Sequence, residues 1–167
     1  MKKVPYAEAM EREQPEPVWW ATCADEKGRP NAIALSWVMT TSIDPPMLAI
    51  SVGLPRYSHE LIERSGEFVV VCPSQEMIRA TTVVGTKSGR GGDKMAESGV
   101  RLLPGSVVKA PLVDDACANI ECKVVGTLRT GDHTIFAGQV VASHVGPPSA
   151  RRIYTLPGGG FGTLKLE

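Results

Sequence analysis

The chain has 167 residues, 43% of them hydrophobic and 22% charged, with 18 Lys+Arg set against 18 Asp+Glu and a formal net charge of zero. This is the composition of an ordinary folded domain, and a chain of this length can bury roughly 68–70% of its unfolded surface without metal or disulfide staples. Balanced charge leaves no basic surplus for a nucleic-acid backbone or an anionic membrane, and no apolar run approaches the roughly 18–20 residues that span a bilayer.

Residues 1–16 are polar, carry Pro15 next to a second proline at Pro17, and read as a lead-in segment with one helical turn. The stretch Met1–Gln14 is charged where a signal peptide needs its apolar core, so the expectation is a single cytoplasmic domain over 1–167. From Val18 the text becomes strand-like: VWWATCA, a turn over Asp25–Pro30, then AIALSWVMT as the second arm of a hairpin. Asp44, Pro45 and Pro46 break the chain, and MLAISV reads as a strand buried on both sides. Gly53 and Pro55 end it. Ser58 then stands as an N-cap before HELIERS, with Gly66 just past the helix end. FVVVC is the next strand, and Ser74–Val84 is a helix capped by Ser74, although its TTVV half is β-branched. Gly85–Gly92, GTKSGRGG, reads as a mobile basic loop. After Pro111, NIECKVVGTLR and HTIFAGQVVASHV form a second hairpin about Thr130, Gly131 and Asp132. The tail from 155 to 167 is glycine-rich around Phe161 and is expected to close over a site. Six or seven strands with short helices and no sustained βα alternation predict a mainly β, antiparallel barrel with helical insertions.

Spacing tests exclude two nucleotide signatures. A phosphate loop from Gly85 needs glycine where Arg90 stands, and a dinucleotide fingerprint from Gly89 needs Gly or Ala where Lys94 stands. What remains is a basic loop ending in Asp93 and Lys94, whose plain reading is solvated surface. MLAISVGLPRYSHELI has the outline of an anion site. A buried strand delivers Arg56 and Ser58 to a helix start, where free amides, a hydroxyl and a guanidinium favour a phosphate. The plainer alternative is that Ser58 only caps its helix. Ser36 and Trp37, with Asn31 nearby, offer an aromatic face beside polar groups; core packing is the alternative for the tryptophan. His133 stands at the mouth of the second hairpin, where it is able to donate a hydrogen bond or a charge.

Cys23, Cys72, Cys117 and Cys122 lack metal-ligand spacing and read as buried free thiols, with a Cys117/Cys122 redox pair as the sharper alternative. No catalytic triad or metal site is legible.

Taken in order, PVWWATCADEKGRPNAIALSWV, PPMLAISVGLPRYSHELIERSGEFVV, GTKSGRGGDK and NIECKVVGTLRTGDHTIFAGQVV resemble the flavin reductase-like family of FMN-binding split barrels, in particular its flavoredoxin branch. The resemblance covers almost the whole chain. It implies a split β-barrel homodimer with one FMN (FAD being the alternative) per subunit, reduced by NAD(P)H or by a redox protein. It places Asn31, Ser36 and Trp37 at the flavin, Ser58 with Arg56 toward the phosphate, Lys94 and His133 near the ring system, and Phe161 over it. A module that only binds or stores flavin is the competing expectation.

Overall fold

The computed structural model describes residues 1–164. A short helix, α1 (Tyr6–Met10), and strand β1 (Glu16–Pro17) make the lead-in. Strands β2 (Trp19–Ala24) and β3 (Pro30–Leu35) form the first hairpin, followed by β4 (Val38–Ser42) and β5 (Met47–Gly53). Helix α2 (Tyr57–Ser65) leads to β6 (Glu67–Cys72), a 3-10 turn at Gln75–Met77, α3 (Ile78–Thr86) and α4 (Lys94–Ser98). The short strands β7 (Leu102–Leu103) and β8 (Leu112–Val113) precede the long hairpin of β9 (Ala118–Thr130) and β10 (His133–Val145). The last strands are β11 (Tyr154–Thr155) and β12 (Phe161–Gly162).

The main sheet is antiparallel, with seven strands in the order β3-β2-β6-β9-β10-β5-β4. AIALSWVMT is therefore two strands, not the single one its sequence suggests. β3 and β4 lie at opposite edges, and the chain crosses from one edge to the other through Ser36 and Trp37. Three Cα steps from Leu35 to Val38 reach at most about 11 Å, whereas a flat seven-strand sheet would hold its edges roughly 29 Å apart. The sheet has to curl until its edges approach. β3 and β4 are not hydrogen-bonded to each other, so the curled sheet stays open at this seam.

Period-2 alternation sorts the core into two layers that share β2 and β6. Ala21, Phe68, Val70, Ile50 and Phe136 pack inside the curl with Leu61 and Ile62 of α2. Trp20, Val69 and Val71 point the other way, onto Ala80 and Val84 of α3 and Met95 of α4. Both faces of β6 are thus covered, which is why FVVVC is continuously apolar. The β-branched half of α3 is tolerated because the Thr81, Thr82 and Thr86 hydroxyls donate to the carbonyls of Met77, Ile78 and Thr82, at 2.9, 3.3 and 2.6 Å. Helix α2 stops at Gly66, whose φ of 68° and N–H bond to the Ile62 carbonyl at 2.9 Å make the left-handed cap foreseen from sequence.

Two local expectations fail. The N-cap of α2 is Arg56, and Ser58 lies inside the first turn, where its side chain caps nothing. The glycine-rich segment is not a free surface loop. Gly85 and Thr86 belong to α3, and Arg90 fastens the rest by donating to the Pro55 carbonyl at 2.9 Å and to Glu60 Oε2 at 3.2 Å.

Candidate functional site

The crossover between β3 and β4, the start of α2, the end of α3 with its following loop, and the head of β10 surround one cavity of about 450 Å³. That volume lies within the range of small-molecule sites. Of the sequence-predicted residues, Ser36, Trp37, Arg56, Ser58, Lys94 and His133 line it together. They come from four separate stretches of chain.

At one end stands the N-terminus of α2. The Tyr57 and Ser58 amides have no intrahelical partners by position, Ser58 is buried, and Arg56 extends beside it exposed. The lining carries Arg56, Lys87, Arg90 and Lys94 against one carboxylate, Glu16, so the chamber is positive. Along one wall runs β3, an edge strand whose Ile33–Leu35 segment reaches the cavity; its outer backbone groups have no strand partner. Across from it, Trp37 is 54% exposed, and its ring centroid is 4.9 Å from that of His133 at a tilt of 52°. The core reading of Trp37 does not hold: the crossover keeps it out of both core layers. His133 Nδ1 lies 2.6 Å from Asp132 Oδ1, a contact that lowers the Asp132 carboxyl from its ordinary value.

Lys94 is buried as the first residue of α4, and its ammonium donates to the Val84 and Lys87 carbonyls at 3.1 and 2.9 Å. These are orphan carbonyls of the α3 terminus, so the cation closes the helix end as well as lining the cavity. Burial pushes the Lys94 ammonium below its ordinary value; neighbouring Cys23 opposes this and Arg56 adds to it.

Two predicted residues are elsewhere. Asn31 is 2% exposed and does not line the cavity; it stands behind Ser58 and donates to Ser58 Oγ at 2.7 Å. Phe161 sits on β12, paired with β11 and packed against the α3-side core layer. The glycines before it, Gly158–Gly160, have φ values of 81, 95 and 81° and make the tight turn of this small hairpin. β11 in turn pairs with β1, so the described part of the tail is bound into a three-stranded sheet and does not cover the cavity. Residues 165–167 lie outside the described residues.

Sequence reasoning missed Tyr57 and Gly89, which also line the cavity. Two guanidinium groups approach the Tyr57 ring, Arg29 at 6.0 Å and Arg90 at 5.3 Å from its centroid, and its hydroxyl accepts from Arg29 Nη2 at 2.9 Å. Adjacency to Ser58 was the only available signal. The cysteine alternative finds no geometry: Cys117 lies toward Cys72, not Cys122, with its N–H bonded to the Cys72 carbonyl at 2.8 Å. Burial pushes Cys23 and Cys72 up to about 11 and Cys122 to about 12, which keeps them as thiols. Among the described residues no cluster of three or more metal-ligating side chains occurs.

The profile described as flavin reductase like domain matches residues 10–165. The chain belongs to this family. An uncharacterized protein of Pyrococcus abyssi is 42% identical over 112 residues, 67% of this chain and 64% of that one. The chain thus matches just under two thirds of the length of this relative and of an uncharacterized protein of Archaeoglobus fulgidus. A Streptomyces pristinaespiralis protein named NADH:riboflavin 5'-phosphate oxidoreductase is 26% identical over 80% of this chain and 73% of its own. Among solved structures, flavoredoxin from Methanosarcina acetivorans superposes with a TM-score of 0.81 at 28% identity, over 91% of this chain and 86% of that one. Family membership makes the cavity a flavin-site candidate. No helix among the described residues is long and apolar enough to cross a membrane.

Proposed function

We propose that the protein holds FMN in the 450 Å³ cavity and relays electrons through it as a cytoplasmic oxidoreductase, taking them from NAD(P)H or from a redox protein. The carrying observation is that one cavity joins an anion end, made by the start of α2 with Ser58 and Arg56, to a ring end bordered by the β3 edge, Trp37 and His133. These residues suit the group. A phosphate fits amides, hydroxyl and guanidinium, and unpaired backbone groups on a strand edge suit the hydrogen-bonding edge of a flat heterocycle. When bound, the flavin supplies the hydride and electron chemistry. The chain's own residues bind, orient and bias: Ser58 and Arg56 hold the phosphate, Trp37 and His133 shield one side of the ring, and the Lys94 cation favours negative charge in the chamber. FMN is favoured over FAD because the positive end is compact and served by one helix start.

The working form is a homodimer of split barrels. Strand register sets Met39, Ile135 and Leu128 on the outer face of the sheet, where Met39 and Leu128 are 57% and 61% exposed. A second copy would cover this apolar strip.

The deciding measurement is the visible spectrum of the desalted protein, with release and identification of the chromophore, followed by anaerobic stopped-flow mixing with NADH or NADPH. A flavin band, FMN on release and bleaching by a nicotinamide nucleotide are expected. A colourless protein that takes up neither FMN nor FAD refutes the site. A bound flavin that no nicotinamide nucleotide or reduced redox protein bleaches leaves a binding module and refutes the oxidoreductase.

A further inference from the structure

We propose that Asn31 is a positioning residue for the anion end of the cavity: its amide holds Ser58 Oγ as an acceptor, so that the single Ser58 hydroxyl proton is left for the ligand. This rests on the phosphate reading above. Asn31 and Ser58 are each 2% exposed, and Asn31 Nδ2 donates to Ser58 Oγ at 2.7 Å and to Cys23 Sγ at 3.8 Å. A serine hydroxyl has one proton and two lone pairs. With one lone pair engaged by Asn31, the proton has to go elsewhere. The usual outlet inside a helix is the carbonyl four residues back, used here by Thr81, Thr82 and Thr86. Among the described residues Ser58 makes no such bond. The remaining protein neighbour is the Cys23 thiol, a weak acceptor. An anionic ligand oxygen in the cavity would be a far stronger acceptor and would receive the hydroxyl's hydrogen bond.

The glycine loop keeps the amide in place. Asn31 Oδ1 is buried and has no hydrogen-bond partner. Gly89 presses against it: a Cβ on Gly89 would lie 2.3 Å from Oδ1 and 3.1 Å from Cγ. Turning the amide over would strip Nδ2 of both its acceptors and point it at Gly89. The loop therefore needs glycine at 89 for close approach, whereas a Cβ at Gly91 would meet open space. Arg90, bonded to the Pro55 carbonyl just ahead of α2, holds Gly89 where it makes this contact. Loop, strand β3 and helix α2 thus act together on one hydroxyl.

The test compares FMN with riboflavin, which lacks the phosphate, by fluorescence titration of the apoprotein of the wild type and of Ser58→Ala, Ser58→Thr, Asn31→Ala, Gly89→Ala and Asn31→Ala/Ser58→Ala. Ser58→Ala is expected to weaken FMN about tenfold or more and riboflavin less than about twofold, and Ser58→Thr to retain FMN. Asn31→Ala is expected to weaken FMN by roughly three- to tenfold with riboflavin unchanged, and to cost nothing further in the Ser58→Ala background. Gly89→Ala displaces Asn31 while leaving both hydrogen-bonding side chains present. It reproduces the FMN-selective loss and carries the test if Asn31→Ala does not fold. Equal losses for FMN and riboflavin in Asn31→Ala and Gly89→Ala, or full additivity in the double variant, overturn the positioning role while the phosphate reading stands. A Ser58→Ala variant with the wild-type FMN-to-riboflavin ratio overturns the phosphate reading, and the positioning role with it.

Discussion

Replacing Glu121 with glutamine removes one charge from the interior and tests how the segment ahead of β8 is held. Glu121 is fully buried on β9 and accepts hydrogen bonds from the Ser106, Val107 and Val108 amides at 3.0, 2.7 and 2.8 Å. The Ser106 hydroxyl adds a bond at 2.5 Å and His144 Nε2 another at 2.7 Å. Burial alone would raise the Glu121 carboxyl, but the bonds from Ser106, His144, Val108 and Val107 outweigh it and bring it down to about 2 from 4.5. At 1.36 kcal/mol per unit, that difference corresponds to roughly 3 kcal/mol of folding stability at neutral pH. Because the folded-state value lies below the unfolded one, the contribution is complete above about pH 4.5 and is lost as the pH falls toward 2. Glutamine keeps the shape but turns an NH2 group toward amide donors. Urea unfolding followed by tryptophan fluorescence is expected to show Glu121→Gln about 3 kcal/mol less stable at pH 7, with less than half of that gap left at pH 3. A gap equal at both pH values would mean that packing, not charge, makes the difference, and no gap at pH 7 would refute the reasoning outright.

Trp37→Ala removes a half-exposed ring that belongs to neither core layer, so thermal unfolding should change by less than about 1 kcal/mol while flavin affinity falls on the order of tenfold; a large stability loss with unchanged affinity contradicts the site. Lys94→Met deletes the buried cation, and spectroelectrochemistry should find the midpoint potential of the bound flavin lowered by some tens of mV. An unchanged or raised potential removes Lys94 from the flavin's surroundings. At Gly138 a Cβ would lie 2.6 Å from Phe68 Cζ and 2.8 Å from Cys122 Cβ, whereas at Gly91 nothing is within 4 Å. Gly138→Ala should therefore cost about 1–3 kcal/mol and Gly91→Ala less than about 0.5 in chemical denaturation; equal costs would contradict the packing described.

What the sequence determined by itself is local. The strand-like run VWWATCA with its turn cluster, and the alternation in NIECKVVGTLR ahead of HTIFAGQVVASHV, give the two hairpins, because residue pattern and turn residues are properties of neighbours in the chain. Gly66 marks the end of α2 for the same reason, and the adjacency of Arg56, Ser58 and a helix start already outlines an anion end. Tertiary structure decided everything that depends on which strands become neighbours. Ser36–Trp37 reads as mid-strand until the sheet order shows that the chain there crosses between opposite edges, and this puts Trp37 in the cavity instead of the core. Phe161 stands in a segment with the composition of a lid, yet pairing of β11 with β1 and β12 commits it to the core layer under α3. Asn31 and Gly89 are 58 positions apart in the chain and have no local signature of contact; only the packing of loop on strand brings one against the other and, through Asn31, onto Ser58. Short-range chemistry is written in the order of residues, while the site is made by long-range pairing, whose choice rests on the burial of the whole sheet.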